Sequence, residues 1–522
     1  MKTVFTEKSP SQALTQWVRG IRKEYKTAFV AAFVMGLLIH MPVLLSDIPN
    51  HDGLGSMYFD QNMITSGRWF LTVACGFSSY FTIPWVIGLL GLLFLSLAAA
   101  ALTALLELRD TVSVVLVSGL LVSFPALAST FAYVFTMDGY MLALLLAVLS
   151  VLCTKKHKWG FLWGAVCLAF SMGTYQAYLS FAILLCMYEV LMIFMEDGKL
   201  GGKLRASLRF LYMGVLGAVL YYIILRVLLL IQRKELASYQ GISGMEGGAR
   251  SLGAEAVLHL YRDFFSFSVK GNVLYHNIFS FAACIMLIGI VLFVLVRLIL
   301  QRKWWKCPGF FVIIALAAAA APFATNIILL ISPEVTYHLL MRYQWVLYLI
   351  LAVAFVSRYA GWDARGNLTH WLAFAAVFVL IFHYAVTDNI GYSNLQKRYE
   401  KTYAYCLRLL DRIEQTEGYY QGIPIAMVGV VGYNPYPVTD ITLDVTSNMI
   451  GLNGDTLLYT GENYQVFMKN YLGATLNMMT PEEMEDIYYS QEYIEMESFP
   501  AQSSVKIVDG IMYIKTENVG RD

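Results

Sequence analysis

The chain has 522 residues, 58% of them hydrophobic and only 14% charged, and carries a net charge of +1. Soluble globular chains run nearer a quarter charged, so this composition excludes an ordinary soluble enzyme and describes a polytopic membrane protein. The near-zero net charge leaves no chain-wide field for a polyanion, and nucleic acid is not an expected partner.

In chain order, residues 1–26 carry Lys2, Lys8, Arg19, Arg22, Lys23 and Lys26, and 8–26 read as a basic amphipathic helix on the cytoplasmic membrane surface. No cleavable signal is expected there; Thr27 to Leu45 reads as a start helix that stays. A bilayer core takes about 20 apolar residues per helix. Eleven runs are assigned as spans on that basis: 27–46, 82–107, 111–128, 138–154, 159–173, 177–195, 209–231, 277–297, 309–331, 343–358 and 371–387. Short loops on one side carry Lys155, Lys156 and Lys158; Lys199, Lys203 and Arg205; Arg302, Lys303 and Lys306; then Arg358 and Arg365. The turns near 129–137 and 174–176 carry no Lys or Arg, so the positive-inside bias puts the N-terminus in the cytoplasm and the C-terminus outside.

Residues 232–276 form a long outer loop, glycine-rich around 241–248. Residues 388–522 have ordinary polarity. They open with a helical pattern from Leu395 to Gln415 and continue with a strand-like run, Ile423–Val431. Near the end, Asp509-Gly510 separates two β-prone runs and predicts a hairpin. The expected fold is mainly α: a cytoplasmic segment at 1–26, a transmembrane domain at 27–387 and a small extracytoplasmic α+β domain at 388–522. No internal or inverted repeat is evident. Seven cysteines are scattered without any CxxC spacing and read as buried thiols.

That topology gathers ionisable groups on the outer face. The first outer loop holds Asp47, His51, Asp52, Asp60 and Arg68-Trp69, and Asp138 begins the fourth span. Tyr175 and Gln176 occupy the next outer turn, Arg262, Lys270 and His276 the long loop, and Glu334, Tyr337, His338 and Arg342 the last outer turn. Ionisable groups near membrane depth are costly and usually face an internal cavity, so an outward-opening polar cavity is expected. Each group also has a plain structural alternative. Asp47 and Asp60 can be solvated loop acids, Asp52 and Asp138 helix caps, and Arg68-Trp69 an interfacial anchor. Tyr175-Gln176 can tie two helices together, and Arg342 can be a salt-bridged structural residue.

A carboxylate at this face can deprotonate an acceptor hydroxyl, and nearby Arg or Lys can hold a phosphate, the Arg fork suiting two oxygens at once. Neither a GxxxxGK[ST] loop nor a strand–helix GxGxxG is present, so a sugar nucleotide is not expected and a lipid-phosphate sugar fits the outward cavity better.

Three short stretches carry a family resemblance: Asp52 followed by Gly67-Arg68-Trp69, then Phe135-Thr-Met-Asp138, then Gly173-Thr-Tyr-Gln176. Over roughly residues 27–345 the chain resembles the type II glucosyl transferases, GT-C-fold membrane enzymes related to bacterial serotype-converting O-antigen glucosyltransferases. The resemblance implies transfer of glucose or a related sugar from a polyprenyl-phosphate carrier to a cell-surface glycan, outside a bacterial cytoplasmic membrane, and inversion is the expected outcome. It puts the essential base on Asp52. Substrate-binding roles are expected for His51, Arg68, Trp69, Asp138, Tyr175, Gln176, Lys270, His338 and Arg342, with Arg68 and Arg342 on the donor phosphate. Family members tend to carry two adjacent acids where this chain has His51-Asp52, so neither metal nor other cofactor is expected. The alternatives are a transporter or flippase of a lipid-linked or small polar substrate, a non-catalytic envelope scaffold, and a glycan polymerase or ligase.

Overall fold

The computed structural model describes residues 9–50, 52–55, 60–237, 253–270, 273–306, 308–332, 335–361, 363–428, 443–454, 457–458 and 460–516. Helix α1 (Pro10–Gly20) is opened by a capping box in which Ser9 and Gln12 bond each other's backbone. Leu14, Trp17 and Val18 along it are exposed. There follow α2 (Lys23–Leu45), α3 (Leu71–Gly76), α4 (Pro84–Leu105), α5 (Thr111–Ser123), α6 (Pro125–Phe131), α7 (Met137–Lys156), α8 (Gly160–Thr174), α9 (Tyr178–Met195) and α10 (Leu200–Gln232). The membrane part closes with α11 (Ala254–Phe265), α12 (Ile278–Gln301), α13 (Pro308–Thr325), α14 (Val346–Tyr359) and the first half of α15 (Ala364–Glu414).

Among the described residues eight helices are long and apolar enough to cross a bilayer, and the bent pair α5–α6 makes a ninth. The shorter apolar helices α8 and α13 occupy the two remaining stretches expected to span. Large apolar side chains stay exposed along α10 (Leu211, Val215, Val219, Ile223) and α12 (Phe281, Ile285, Ile288, Leu292), as lipid-facing helices require. Buried faces pack closely through small residues: a Cβ at Gly88 of α4 would lie 2.1 Å from Leu44 of α2.

The α5–α6 break follows from Pro125, which has no amide hydrogen to donate into the preceding turn, and the axis bends by 47°. Bare carbonyls inside an apolar bundle cost several kcal/mol each, so they must be capped. Tyr343 Oη donates to Leu121 O, and His40 Nε2 donates to Val122 O at 2.7 Å. His40 is wholly buried; its Nδ1 meets the Tyr392 hydroxyl of α15 at 2.6 Å, and its ring edges onto Phe131. One imidazole thus joins α2, the break and α15. The opposite end of α7 is held by charge. Lys155 Nζ lies 2.9 Å from the buried Glu189 and 3.3 Å from Glu107, and Arg358 reaches Glu196 at 2.6 Å.

Helix α15 has 51 residues, roughly 75 Å at 1.5 Å per residue, and runs from the bundle into the tail domain without interruption. The boundary expected at 387/388 therefore falls inside a helix. Beyond it lie β1 (Pro424–Val428), α16 (Gly461–Leu472), β2 (Asn477–Met478), α17 (Pro481–Tyr488), β3 (Val505–Val508) and β4 (Ile511–Lys515). The sheet order is β2-β1-β4-β3, with β1 parallel to both neighbours and β3 antiparallel to β4. Asp509 and Gly510 both have positive φ, which a two-residue hairpin turn of matching twist needs. Ile425, Met427, Met512 and Ile514 pack on Leu409, Ile413 and Phe467 on one face; Ala426 and Tyr513 meet Ile487 and Tyr493 on the other.

His40→Leu should strand both the Val122 carbonyl and the Tyr392 hydroxyl, at roughly 1–3 kcal/mol per buried group. A lowered unfolding midpoint in detergent micelles is expected; an unchanged midpoint would contradict the capping role.

Candidate active site

After α2 the chain passes Asp47, which lies within electrostatic reach of Tyr399 and Tyr471 of the tail domain. Partial burial there raises the Asp47 carboxyl above its ordinary range. Asn50 is fully buried: its Nδ2 donates to Ala132 O at 3.0 Å, and its Oδ1 accepts from Gly53 N at 2.8 Å. Asp52 stands exposed between Asn50 and a 3₁₀ turn, Gly53–Gly55. His51 lies outside the described residues.

A second 3₁₀ turn, Ile64–Ser66, ends at Gly67 with φ +75°, and a β-bridge pairs Met63 with Arg68. The glycine is required sterically as well, because a Cβ there would lie 2.6 Å from Tyr221 Oη and 2.7 Å from Gln176 Nε2. Those two groups hold the loop: Gln176 Nε2 donates to Ser66 O at 2.8 Å, and Tyr221 Oη donates to Gly67 O at 3.1 Å. Phe70 N donates to Gly173 O at 2.7 Å. The Trp69 ring lies over Gly173, whose own Cβ would come within 2.5 Å of it, and makes an edge contact with Phe170. The Gly67-Arg68-Trp69 and Gly173-Thr-Tyr-Gln176 stretches, about a hundred residues apart, are therefore one packed unit. Trp69 faces α8 and α10 in the bundle, and Gln176 serves the loop backbone.

Arg68 is held out of that unit into a ring of phenols. Its Nη1 donates to Tyr140 Oη at 3.1 Å, its guanidinium lies 5.2 Å from the Tyr175 ring centre, and Tyr140 and Tyr175 stack at 4.3 Å. Asp52 is near enough to the Tyr140 hydroxyl to act on it electrostatically. Burial first, and Tyr140 second, push the Tyr175 hydroxyl well above its ordinary range, so it stays a neutral donor. Arg68 and Tyr175, expected from sequence, are thus in contact, and Asp52 lies within electrostatic range of Tyr140 beside them. Tyr140, two residues beyond Asp138 on the first turns of α7, joins them.

Asp138 looks elsewhere. Its carboxylate is 1% exposed and accepts from Ser78 Oγ at 2.6 Å and from Gly139 N at 2.8 Å, tying the start of α7 to the turn after α3. Arg342 is also engaged. Its Nη1 and Nη2 each donate to a different oxygen of Asp263 at 2.7 Å, Nε donates to Tyr337 O, and the guanidinium lies 3.8 Å from the Tyr337 ring centre. Asn326 Nδ2 donates to the same carboxylate at 3.0 Å. Asp263 on α11 had no motif to mark it; a lone acid near an Arg in a long loop was the available signal. His338 opens the 3₁₀ segment Leu339–Trp345; burial, then the Arg342 charge, lowers its proton affinity and keeps the ring neutral near pH 7. The side chain of Lys270 and residue Glu334 lie outside the described residues. Among the described residues no cluster of His, Cys, Asp and Glu has the arrangement of a metal site.

Asp263→Ala should leave the Arg342 guanidinium, 3% exposed, without its counter-ion. A loss of about 3–5 kcal/mol is expected from such an orphaned charge, read as a lowered unfolding midpoint. Asp263→Asn, which keeps one acceptor oxygen, should recover part of it, and equal losses for both variants would discount the geometry.

Residues 41–359, more than half of the chain, match the family described as Glucosyl transferase GtrII. No curated protein and no solved structure matches the chain. The matched region contains every described residue of the Asp52–Arg68–Tyr140–Tyr175 cluster and the Asp263–Arg342 pair, and the chain belongs to the glucosyl transferase GtrII family: it is a multi-pass membrane glucosyltransferase of glycan modification.

Proposed function

We propose that this enzyme moves glucose or a related sugar from a polyprenyl-phosphate carrier to a surface glycan at the outer face of a bacterial cytoplasmic membrane, with inversion, on a GT-C-like scaffold of eleven crossings whose N-terminus is cytoplasmic. The observation that carries this reading is the group in which Arg68, Tyr140 and Tyr175 touch at one end of the bundle, with Asp52 within electrostatic range of Tyr140. An acceptor hydroxyl attacks the anomeric carbon, its proton passes to Asp52, and the bond from that carbon to the phosphate oxygen breaks. Polyprenyl phosphate leaves with the electron pair. Arg68 holds the developing phosphate charge, where a planar fork in a phenol-lined, partly desolvated site is worth more than in water. The neutral Tyr175 hydroxyl donates to the sugar or the phosphate.

A place for the lipid supports the same reading. An almost wholly apolar cavity of about 730 Å³ runs between α9, α10 and α13, from Phe194 and Ser207 at one end to Leu179 and Ile327 at the other. Ile327 follows Asn326, the partner of Asp263, so a chain in this groove brings its phosphate toward Arg342. Asp263 then keeps the Arg342 fork oriented until the donor arrives. A second apolar cavity of about 420 Å³, lined by Phe264, Phe267 and Trp345, adjoins the same arginine and suits further isoprene units.

The test is transfer by purified protein of radiolabelled glucose from polyprenyl-phosphate glucose to a surface-glycan acceptor. Asp52→Asn should lower kcat by about 10²- to 10⁴-fold, the range for loss of a general base, and leave expression intact. Arg68→Lys, which loses the fork and the ring contact, should raise the donor KM by roughly tenfold. Full activity of Asp52→Asn would remove it as the base, and failure with every lipid-linked sugar tried would overturn the reading.

A further inference from the structure

Leu54 stands two residues after Asp52 and is 2% exposed, and it is buried with the apolar residues of the tail. It belongs to the apolar core of the tail domain, with Leu409, Leu458, Tyr464 and Phe467, and its 3₁₀ turn packs against α16. The loop bearing the candidate base is therefore plugged into a domain that lies wholly beyond the matched residues 41–359. On its other side the loop is pinned by Asn50 to Ala132, at the end of the broken span.

The tail grips that second pin too. A Cβ on Gly451 would lie 2.9 Å from Ala132 and from Tyr133 and 3.4 Å from Asn50, so the 449–454 segment sits directly over it. That segment is held by α15: Arg398 Nη2 donates to Gly451 O at 2.8 Å and Nη1 to Asn453 O at 2.7 Å, while Asn394 Nδ2 donates to Leu452 O at 2.6 Å. Both anchors of Asp52 are thus referred to one helix that runs unbroken from bundle to tail.

We propose that the tail domain is part of the catalytic apparatus, and that Leu54 is a positioning residue that sets Asp52 through its seat in the tail core. This rests on Asp52 being the base. Asp52 lies between two held residues, Asn50 and Leu54, so a shift of either one displaces it. A displacement of about 1 Å in a reacting group can cost on the order of 100-fold in rate.

The experiment compares full-length wild type, Leu54→Ala and Leu54→Met for kcat, donor KM and amide hydrogen exchange. Leu54→Ala is expected to lower kcat by about 10- to 100-fold with donor KM within about twofold, and to speed exchange at residues 47–55 while β1 and β4 keep wild-type protection. Leu54→Met, close in volume, should restore both. Unchanged exchange at 47–55 in Leu54→Ala would overturn the clamp. Exchange that rises equally in β1 and β4 would reduce Leu54 to a core residue of the tail, and faster loop exchange with unaltered kcat would overturn its bearing on Asp52. Absence of transfer by wild type counts against the proposed reaction, whereas the exchange result tests the seat of Leu54 independently.

Discussion

The hydrogen bonds from Gln176 and Tyr221 to the backbone of Ser66 and Gly67 are the constraint on which the site depends. A loop at the edge of an apolar bundle has too few apolar contacts to hold its own shape, and its backbone groups must find partners. Two side chains supply them, Gln176 from the turn between α8 and α9 and Tyr221 from α10, and they can approach only because residue 67 has no Cβ. Arg68 then leaves the loop in one direction, into Tyr140 and Tyr175. Without that lock the arginine would be one of many flexible surface cations.

The same logic recurs in the broken span. Proline at 125 frees carbonyls where water is absent, and the bundle answers with His40 and Tyr343. After the break α6 leads to Ala132, whose carbonyl receives Asn50, and to Tyr133, which meets the tail. A helix interruption, two polar caps and the loop bearing Asp52 are therefore joined through Asn50, Ala132 and His40.

Arg342 illustrates how a polar group near membrane depth is retained. Its fork is filled by Asp263, its faces by Tyr337 and Phe267, and the carboxylate is shared with Asn326. The plain alternative of a salt-bridged residue describes its resting contacts. Ile327, which follows Asn326, lines the apolar groove between α9, α10 and α13, so the Asp263–Arg342 pair stands close to that groove.

Much of the architecture was legible in one dimension, because span length, loop charge and the Asp509-Gly510 turn are local properties of composition and spacing. The helical stretches and the hairpin needed nothing from distant residues. Asp52, Arg68 and Tyr175 could be named as candidates, since the cost of ionisable or buried polar groups next to apolar spans singles them out wherever they point. Direction of side chains was another matter. Asp138 turning to Ser78, Trp69 packing on Gly173 and Gln176 bonding a backbone all depend on which helices become neighbours. Asp263 and Leu54 lay beyond sequence reasoning for the same reason. An acid's counter-ion 79 residues away and a leucine's seat in another domain are decided only when the chain has folded. The sequence by itself determined that the fold is mainly helical and rich in apolar spans, since burial energy is counted residue by residue. Only the tertiary structure decided which groups meet, because contact between distant residues is set by packing and not by spacing.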